Sequence, residues 1–209
     1  MSNWLTSLLI GFLGLDTTVA FQVLISQPLF SCTILGWLYG DLALGIETGL
    51  MMQLLWLNII PAGATVFPEG NIGSMITGAI VLQYQELEIP NLVFTAGFVI
   101  GILVSFVGAY VTVIDRKLNG YILELTLQAV HKGRFSKISW LDMLSILIYF
   151  LLMSLLAFIA LTLAGWAMPW LQDSLGAFEK NLHLVKPAVW GMGIALTLPM
   201  IYRALRPGR

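Results

Sequence analysis

Two long stretches of the sequence contain no charged residue, and they limit most strongly what this chain can fold into. Residues 89–114 form an uncharged run of 26 residues, and residues 143–172 form one of 30. A helix crosses the roughly 30 Å hydrocarbon core of a bilayer with about 20 apolar residues, so both runs predict membrane spans. A third run of 16 residues, 187–202, predicts another span if Lys186 and Arg203 extend their charged groups into the interface.

The composition leads to the same class of protein. Of the 209 residues, 58% are hydrophobic and 10% are charged, against roughly 25% charged in a soluble domain. This predicts an integral membrane protein and excludes a soluble enzyme. Ten Lys and Arg against eleven Asp and Glu leave no basic field for nucleic acid. One cysteine, Cys32, and two separated histidines give no metal-ligand spacing, so we expect neither a metal nor a cofactor.

The basic residues are confined to the second half of the chain. All ten lie after position 115, and cytoplasmic loops carry such an excess of Lys and Arg. The connection 115–138 and the C-terminal tail are therefore predicted to be cytoplasmic, and the connections 83–90 and 170–187 to lie outside. Within 115–138 apolar residues recur at helical spacing, which predicts an amphipathic helix at the membrane surface.

The first 83 residues are less regular. Their apolar stretches are interrupted by acids and prolines, namely Asp16, Asp41, Glu47 and Glu69, and Pro28, Pro61 and Pro68. Irregular backbone survives at membrane depth only where protein or a water-filled cavity covers it. We therefore predict an all-α, polytopic transmembrane protein with broken or re-entrant helices in its N-terminal half. Residues 1–209 form one membrane domain, with substrate-contacting segments in 1–90 and plainer helices in 91–209.

Several polar residues of this first part are candidates for a binding site. No Lys or Arg precedes position 116 to neutralise Asp16, so its carboxylate is expected to face a cavity or a partner. Gln53 lies in an apolar run, where an amide can bind a hydroxyl group or join two helices. Segment 61–71 holds two prolines and two glycines, which free backbone groups for a ligand; the alternative is a simple turn at the membrane surface. The turn alternative also applies to Asp41 and Glu69.

The order and spacing of residues 26–69 resemble a known family signature. The matching positions are Ser26-Gln27-Pro28-Leu29, Gly36, Gly40-Asp41, Gly45, Gly49, Leu54-Leu55-Trp56-Leu57, Pro61-Ala62-Gly63-Ala64 and Pro68-Glu69, with Asp16, Gln22 and Ile138-Ser139-Trp140 outside this stretch. They resemble the membrane IIC subunit of the mannose/fructose/sorbose family of bacterial sugar phosphotransferase systems. The match runs without a gap from Pro28 to Glu69.

The resemblance implies a function and partners. It implies a multi-pass subunit of a sugar permease in the bacterial cytoplasmic (inner) membrane, in contact with lipid and assembled as a hetero-oligomer with a IID-like membrane subunit. Cytoplasmic IIA and IIB proteins would supply the phosphoryl group, and the IIC chain would carry no phosphorylated or catalytic residue of its own. The residues expected to bind or support a hexose-like sugar are Asp16, Gln22, Gln53, Asn58, Gly63, Ala64, Thr65, Glu69 and Asn71.

The sequence departs from this family at several positions. The family usually has Arg at position 27, Glu at 53 and Gly at 58, where this chain has Gln27, Gln53 and Asn58. Its members usually continue with further hydrophobic segments where this chain stops at Arg209. Two other hypotheses therefore stay open: a non-transporting scaffold or regulatory remnant that still binds phosphotransferase partners, and an unrelated small-solute channel.

Overall fold

A computed structural model describes residues 1–59 and 66–205, and within these ranges the regular structure is helical throughout, without a strand. The seven α-helices are α1 (Asn3–Gly14), α2 (Pro28–Tyr39), α3 (Leu42–Trp56), α4 (Gly70–Gln83), α5 (Pro90–His131), α6 (Ser136–Leu175) and α7 (Val185–Ala204). Short 3-10 segments follow α1 at Leu15–Thr17 and α6 at Gly176–Leu184. The predicted all-α class is confirmed.

The four N-terminal helices are too short to cross a bilayer. Helices α1 to α4 contain 12, 12, 15 and 14 residues, or about 18 to 23 Å at 1.5 Å per residue. Side-chain contacts hold one set of their ends together: the hydroxyls of Thr6 and Tyr39 lie 2.7 Å apart, and Gln83 Nε2 donates to Asn3 Oδ1 at 2.9 Å. Short helices whose ends are held side by side in this way fit the predicted broken helices of the N-terminal half.

A tight turn joins α2 to α3. Gly40 adopts φ +89°, a conformation that glycine takes without strain, and it ends α2. Asp41 Oδ1 then accepts a hydrogen bond of 2.9 Å from the Leu44 amide and caps α3. The two helices touch where Gly36 faces Gly45: a Cβ on Gly45 would lie 2.7 Å from the Gly36 Cα. Asp41 thus has the turn role that the sequence left open.

Helix α4 lies at the centre of the molecule. Its side chains Ile72, Met75 and Ile76 are fully buried. It crosses α5 closely, because a Cβ on Gly73 would come within 2.4 Å of the Gly101 carbonyl. Small residues at such crossings let membrane helices pack backbone against backbone.

The long helices carry the membrane-crossing signal. Helix α5 has a stretch of mean hydropathy 2.4, and the helical part Ser136–Arg203, which includes α6 and α7, has one of 2.7. By length and composition, both could cross a membrane. Helix α5 spans 42 residues, about 63 Å. It continues past position 114, where the predicted span ends. Residues 115–131 are therefore helical, as predicted, but they are part of α5 and do not form a separate amphipathic helix at the membrane surface. No proline interrupts this region.

The predicted outer connections meet at one end of the molecule. Glu179 Oε1 and Oε2 accept bonds of 2.9 and 2.8 Å from the backbone amides of Asn91 and Leu92 at the start of α5. A carboxylate there satisfies amides that have no partner within the helix. Connections 83–90 and 170–187 therefore lie on the same side, which agrees with the charge distribution.

Candidate functional site

A cavity of about 910 Å³ opens where the short helices stop. One wall comes from the start of α2, the end of α3 and the start of α4, and the other from α5 and α6. Of the predicted site residues that the structure describes, three line it, namely Gln53, Glu69 and Asn71. Among the described residues, no group of three or more His, Cys, Asp or Glu side chains is arranged to hold a metal ion.

Gln53 joins α3 to the beginning of α2. Its Oε1 accepts a bond of 3.3 Å from the Leu29 amide, which has no partner within α2, and its Nε2 donates to Gln27 Oε1 at 2.9 Å. The contacts match the alternative in which Gln53 joins two helices. Because Gln27 and Gln53 both line the cavity, the same amides can also meet a ligand.

The start of α4 brings Glu69 and Asn71 to the cavity. Glu69 is held against α5: its amide donates to the Ser105 carbonyl at 2.8 Å, and its Oε1 accepts from Thr112 Oγ1 at 2.5 Å. Asn71 Nδ2 lies 3.3 Å from the hydroxyls of both Thr17 and Ser26. Glu69 therefore lies between two helices instead of in a free surface turn.

Asp16 supports the cavity without lining it. The residue is 3% exposed, and its two oxygens accept bonds from the amides of Val23 at 2.6 Å and Ser26 at 3.0 Å. These bonds fix a segment in which Phe21, Gln22 and Leu24 all have positive φ. Such conformations are strained for residues other than glycine. The Asp16 carboxylate stabilises this segment beside the cavity.

The remaining predicted residues are not found in the described cavity wall. Gln22 is exposed, and its Nε2 donates to the Thr18 carbonyl at 3.3 Å. Asn58 is also exposed, and its amide donates to the Leu196 carbonyl of α7. Gly63, Ala64 and Thr65 lie outside the described residues.

The second wall contains polar residues that sequence reasoning did not select. Thr112, Asp115 and Asn119 come from α5, and Ser145 and Tyr149 from α6. Their spacing of three or four residues places each set on one helix face, which is the signal that could have identified them.

Trp56 also belongs to the cavity wall. Its ring lines the cavity and packs over Gly70. A Cβ on Gly70 would lie 2.5 Å from this ring. Together the wall offers amides, carboxylates, hydroxyls and an aromatic face, the groups that bind a small polyhydroxyl ligand.

Comparison with known sequences identifies relatives. The sequence model of the family described as "PTS system sorbose-specific iic component" matches residues 1–204. The mannose-specific EIIC component of Escherichia coli K12 is 24% identical over 183 residues, which cover 87% of this chain and 65% of that protein. The sorbose-specific EIIC component of Klebsiella pneumoniae is 28% identical over 116 residues, covering 55% of this chain and 41% of that protein. The chain thus spans less than two thirds of these relatives.

Solved structures share the fold. One membrane protein superposes with a TM-score of 0.73 at 21% identity, covering 95% of this chain and 77% of that chain. A chain of the mannose transporter ManYZ in complex with microcin E492 gives a TM-score of 0.65 at 21% identity, covering 99% and 78%. The chain therefore shares its fold with these membrane proteins. The family resemblance seen in residues 26–69 is confirmed by the sequence model that matches residues 1–204. The chain belongs to the family of sorbose-specific IIC components of the phosphotransferase system.

Proposed function

We propose that this chain is the sugar-translocating membrane subunit of a phosphoenolpyruvate-dependent permease and that it carries a hexose-like sugar in the cavity. The main supporting observation is the convergence of Gln53, Glu69 and Asn71 on one cavity at the ends of short helices. A volume of about 910 Å³ falls within the range of small-molecule sites, about 300–1,000 Å³. The relatives named for mannose and sorbose support the same class of substrate.

The position of the cavity suits transfer to a cytoplasmic phosphoryl donor. Its α5 and α6 wall includes Arg116, at the end of the molecule where the basic connection 115–138 is predicted to be cytoplasmic. A sugar held there is accessible to a IIB protein charged by IIA. The exposed apolar helices would contact lipid and a IID-like chain, giving a hetero-oligomer in the bacterial inner membrane. A chain in the solved ManYZ structure has the same fold.

Uptake measurements test this proposal. The chain is produced with its partner proteins, and phosphoenolpyruvate-dependent uptake of labelled mannose and sorbose is compared for wild type, Gln53→Ala and Glu69→Gln. Each variant should lower uptake by about tenfold or more, since hydrogen bonds to charged or buried groups are lost, while copurification with the partners continues. Glu88→Gln makes the same chemical change as Glu69→Gln in an exposed connection and should transport as wild type.

The outcomes separate the hypotheses. Wild-type uptake that is unchanged in both cavity variants would contradict the site. A wild-type complex that binds its partners but takes up no hexose would contradict transport and favour the scaffold hypothesis.

A further inference from the structure

The α5 and α6 wall of the cavity contains two deeply buried polar atoms without a partner. Asp115 is 5% exposed and Tyr149 is 2% exposed. Among the described residues, Asp115 Oδ1 and the Tyr149 hydroxyl have no hydrogen-bond partner. Thr18 lies near the Tyr149 hydroxyl but not in hydrogen-bonding geometry. Buried polar groups are nearly always paired, so such atoms in a cavity wall call for a donor or acceptor from a ligand.

A chain of hydrogen bonds fixes the Asp115 carboxylate. Ser145 Oγ of α6 donates to Asn119 Oδ1 at 2.8 Å, and Asn119 Nδ2 donates to Asp115 Oδ2 at 3.0 Å. Asp115 Oδ2 therefore accepts a hydrogen bond from the protein, whereas Asp115 Oδ1 has no partner among the described residues. Asp115, Asn119, Ser145 and Tyr149 all line the same cavity as Gln53 and Asn71.

Other unpartnered hydroxyls differ from these two in position. The hydroxyls of Thr48 and Ser154 are also buried and unpaired among the described residues, but neither residue lines the cavity. Ser154 lies at the contact between α6 and α1, where it faces Gly11. Only residues of the cavity wall can meet a ligand there. Among the described residues, Asp115 and Tyr149 meet this condition on the α5 and α6 wall, and Trp56 Nε1 is likewise buried and unpaired on the other wall.

We propose that Asp115 and Tyr149 form a second, previously unassigned half of the sugar site, opposite Gln53 and Asn71. Asp115 Oδ1 accepts a hydrogen bond from one sugar hydroxyl, and the Tyr149 hydroxyl bonds another. Asn119 and Ser145 are positioning residues that orient the carboxylate. The ligand class is a neutral polyhydroxyl sugar held from both sides, and this inference rests on the proposed function.

Tyr149→Phe is the sharpest test because it removes only an unpaired hydroxyl. Binding of mannose, fructose, sorbose and glucose is measured by equilibrium titration of the intact complex, together with its thermal stability. For the sugar that wild type binds, Tyr149→Phe should weaken binding about three- to tenfold. Its stability should be unchanged or higher, because no internal hydrogen bond is broken. If the hydroxyl had only a structural role, Tyr149→Phe would leave sugar binding unchanged and lower the thermal stability.

Asp115→Asn should weaken binding about ten- to a hundredfold, as expected for a charged acceptor. Glu124→Gln is the matched control, because it makes the same change on α5 outside the cavity and should bind as wild type. Asn119→Ala should weaken binding in wild type but have little further effect in Asp115→Asn, since its action passes through the carboxylate. A deoxy analogue lacking the contacted hydroxyl should bind wild type and Asp115→Asn equally.

Two results would overturn the inference, and they differ in what they leave standing. If wild type, Tyr149→Phe and Asp115→Asn all bind one sugar equally, the second half-site is wrong while sugar binding stands. If wild type binds none of the four hexoses, the proposed function fails and this inference fails with it.

Discussion

Gln27 and Gln53 form a neutral hydrogen-bonded pair in the cavity wall, 2.9 Å apart. The two positions at which the family resemblance leads one to expect Arg and Glu therefore form one contact. A charge at either position alone would lie among apolar helices and before the first Lys or Arg of the chain. An unpaired buried charge is strongly destabilising, whereas a pair of neutral amides keeps a hydrogen bond without burying a charge.

We predict coupling between these two positions. Gln27→Arg and Gln53→Glu should each lower the thermal stability of the detergent-solubilised protein, and the double variant should recover part of the loss. Residues in direct contact usually show coupling energies of about 0.5–3 kcal/mol. Strictly additive effects in the double-mutant cycle would contradict a direct pair.

Asp16 gives a second prediction for a single residue. Asp16→Ala removes the acceptor of the Val23 and Ser26 amides and leaves strained backbone unsupported. The free energy of unfolding should fall by about 1.5–3 kcal/mol, as expected for the loss of hydrogen bonds to a charged group. Thermal or denaturant unfolding measures this change. Asp173→Ala, in an exposed position, should change stability by no more than about 0.5 kcal/mol. Equal effects of the two substitutions would show that the Asp16 bonds contribute little.

Among the elements, the hairpin of α2 and α3 depends on the absence of side chains at its crossing. Gly36, Gly45 and Gly49 bring the two backbones into contact, and a Cβ on Gly49 would lie 2.7 Å from the Pro28 carbonyl. This spacing places Gln53 beside the start of α2. The glycines of the signature therefore set the geometry of one cavity wall.

Gly45→Leu should separate α2 from α3 and lower both folded yield and sugar binding. The added side chain would meet the Cys32 carbonyl and the Gly36 backbone, which cannot move aside as a flexible side chain can. Gly120→Ala is the control: it is also within a helix, but nothing lies within 4 Å of the added Cβ. It should stabilise α5 by roughly 0.5–1 kcal/mol. Size-exclusion profiles and thermal unfolding in detergent measure both effects, and normal behaviour of Gly45→Leu would contradict the close crossing.

The two ends of the molecule differ in the groups that they carry. One end holds the Glu179 cap on α5 and the ion pair between Lys186 and Glu47, at 3.3 Å. The other end holds the cavity and the basic connection between α5 and α6. The positive-inside rule assigns the second end to the cytoplasm.

Cysteine labelling tests this orientation. Asp173→Cys and Lys137→Cys place thiols at exposed positions near opposite ends. In intact cells a membrane-impermeant maleimide should label position 173, and position 137 should react only after permeabilisation. The single native cysteine, Cys32, is buried and should leave the wild type unlabelled. The reverse labelling pattern would invert the predicted orientation.

The sequence by itself determined the membrane environment, the helical class and the family, because hydrophobic length, charge position and motif spacing are properties of continuous segments. It also identified Gln53, Glu69 and Asn71, which meet at the cavity, as polar residues in unusual surroundings. It placed Gln22 and Asn58 with them, although the structure finds both exposed outside that wall.

Only the tertiary structure decided which side chains share the cavity. Spacing places Thr112, Asp115 and Asn119 on one face of α5 but does not encode what that face meets. That depends on close crossings such as Gly73 with Gly101, where backbone contact brings α4 and α5 together. Packing between distant segments, which no local pattern contains, formed the second wall.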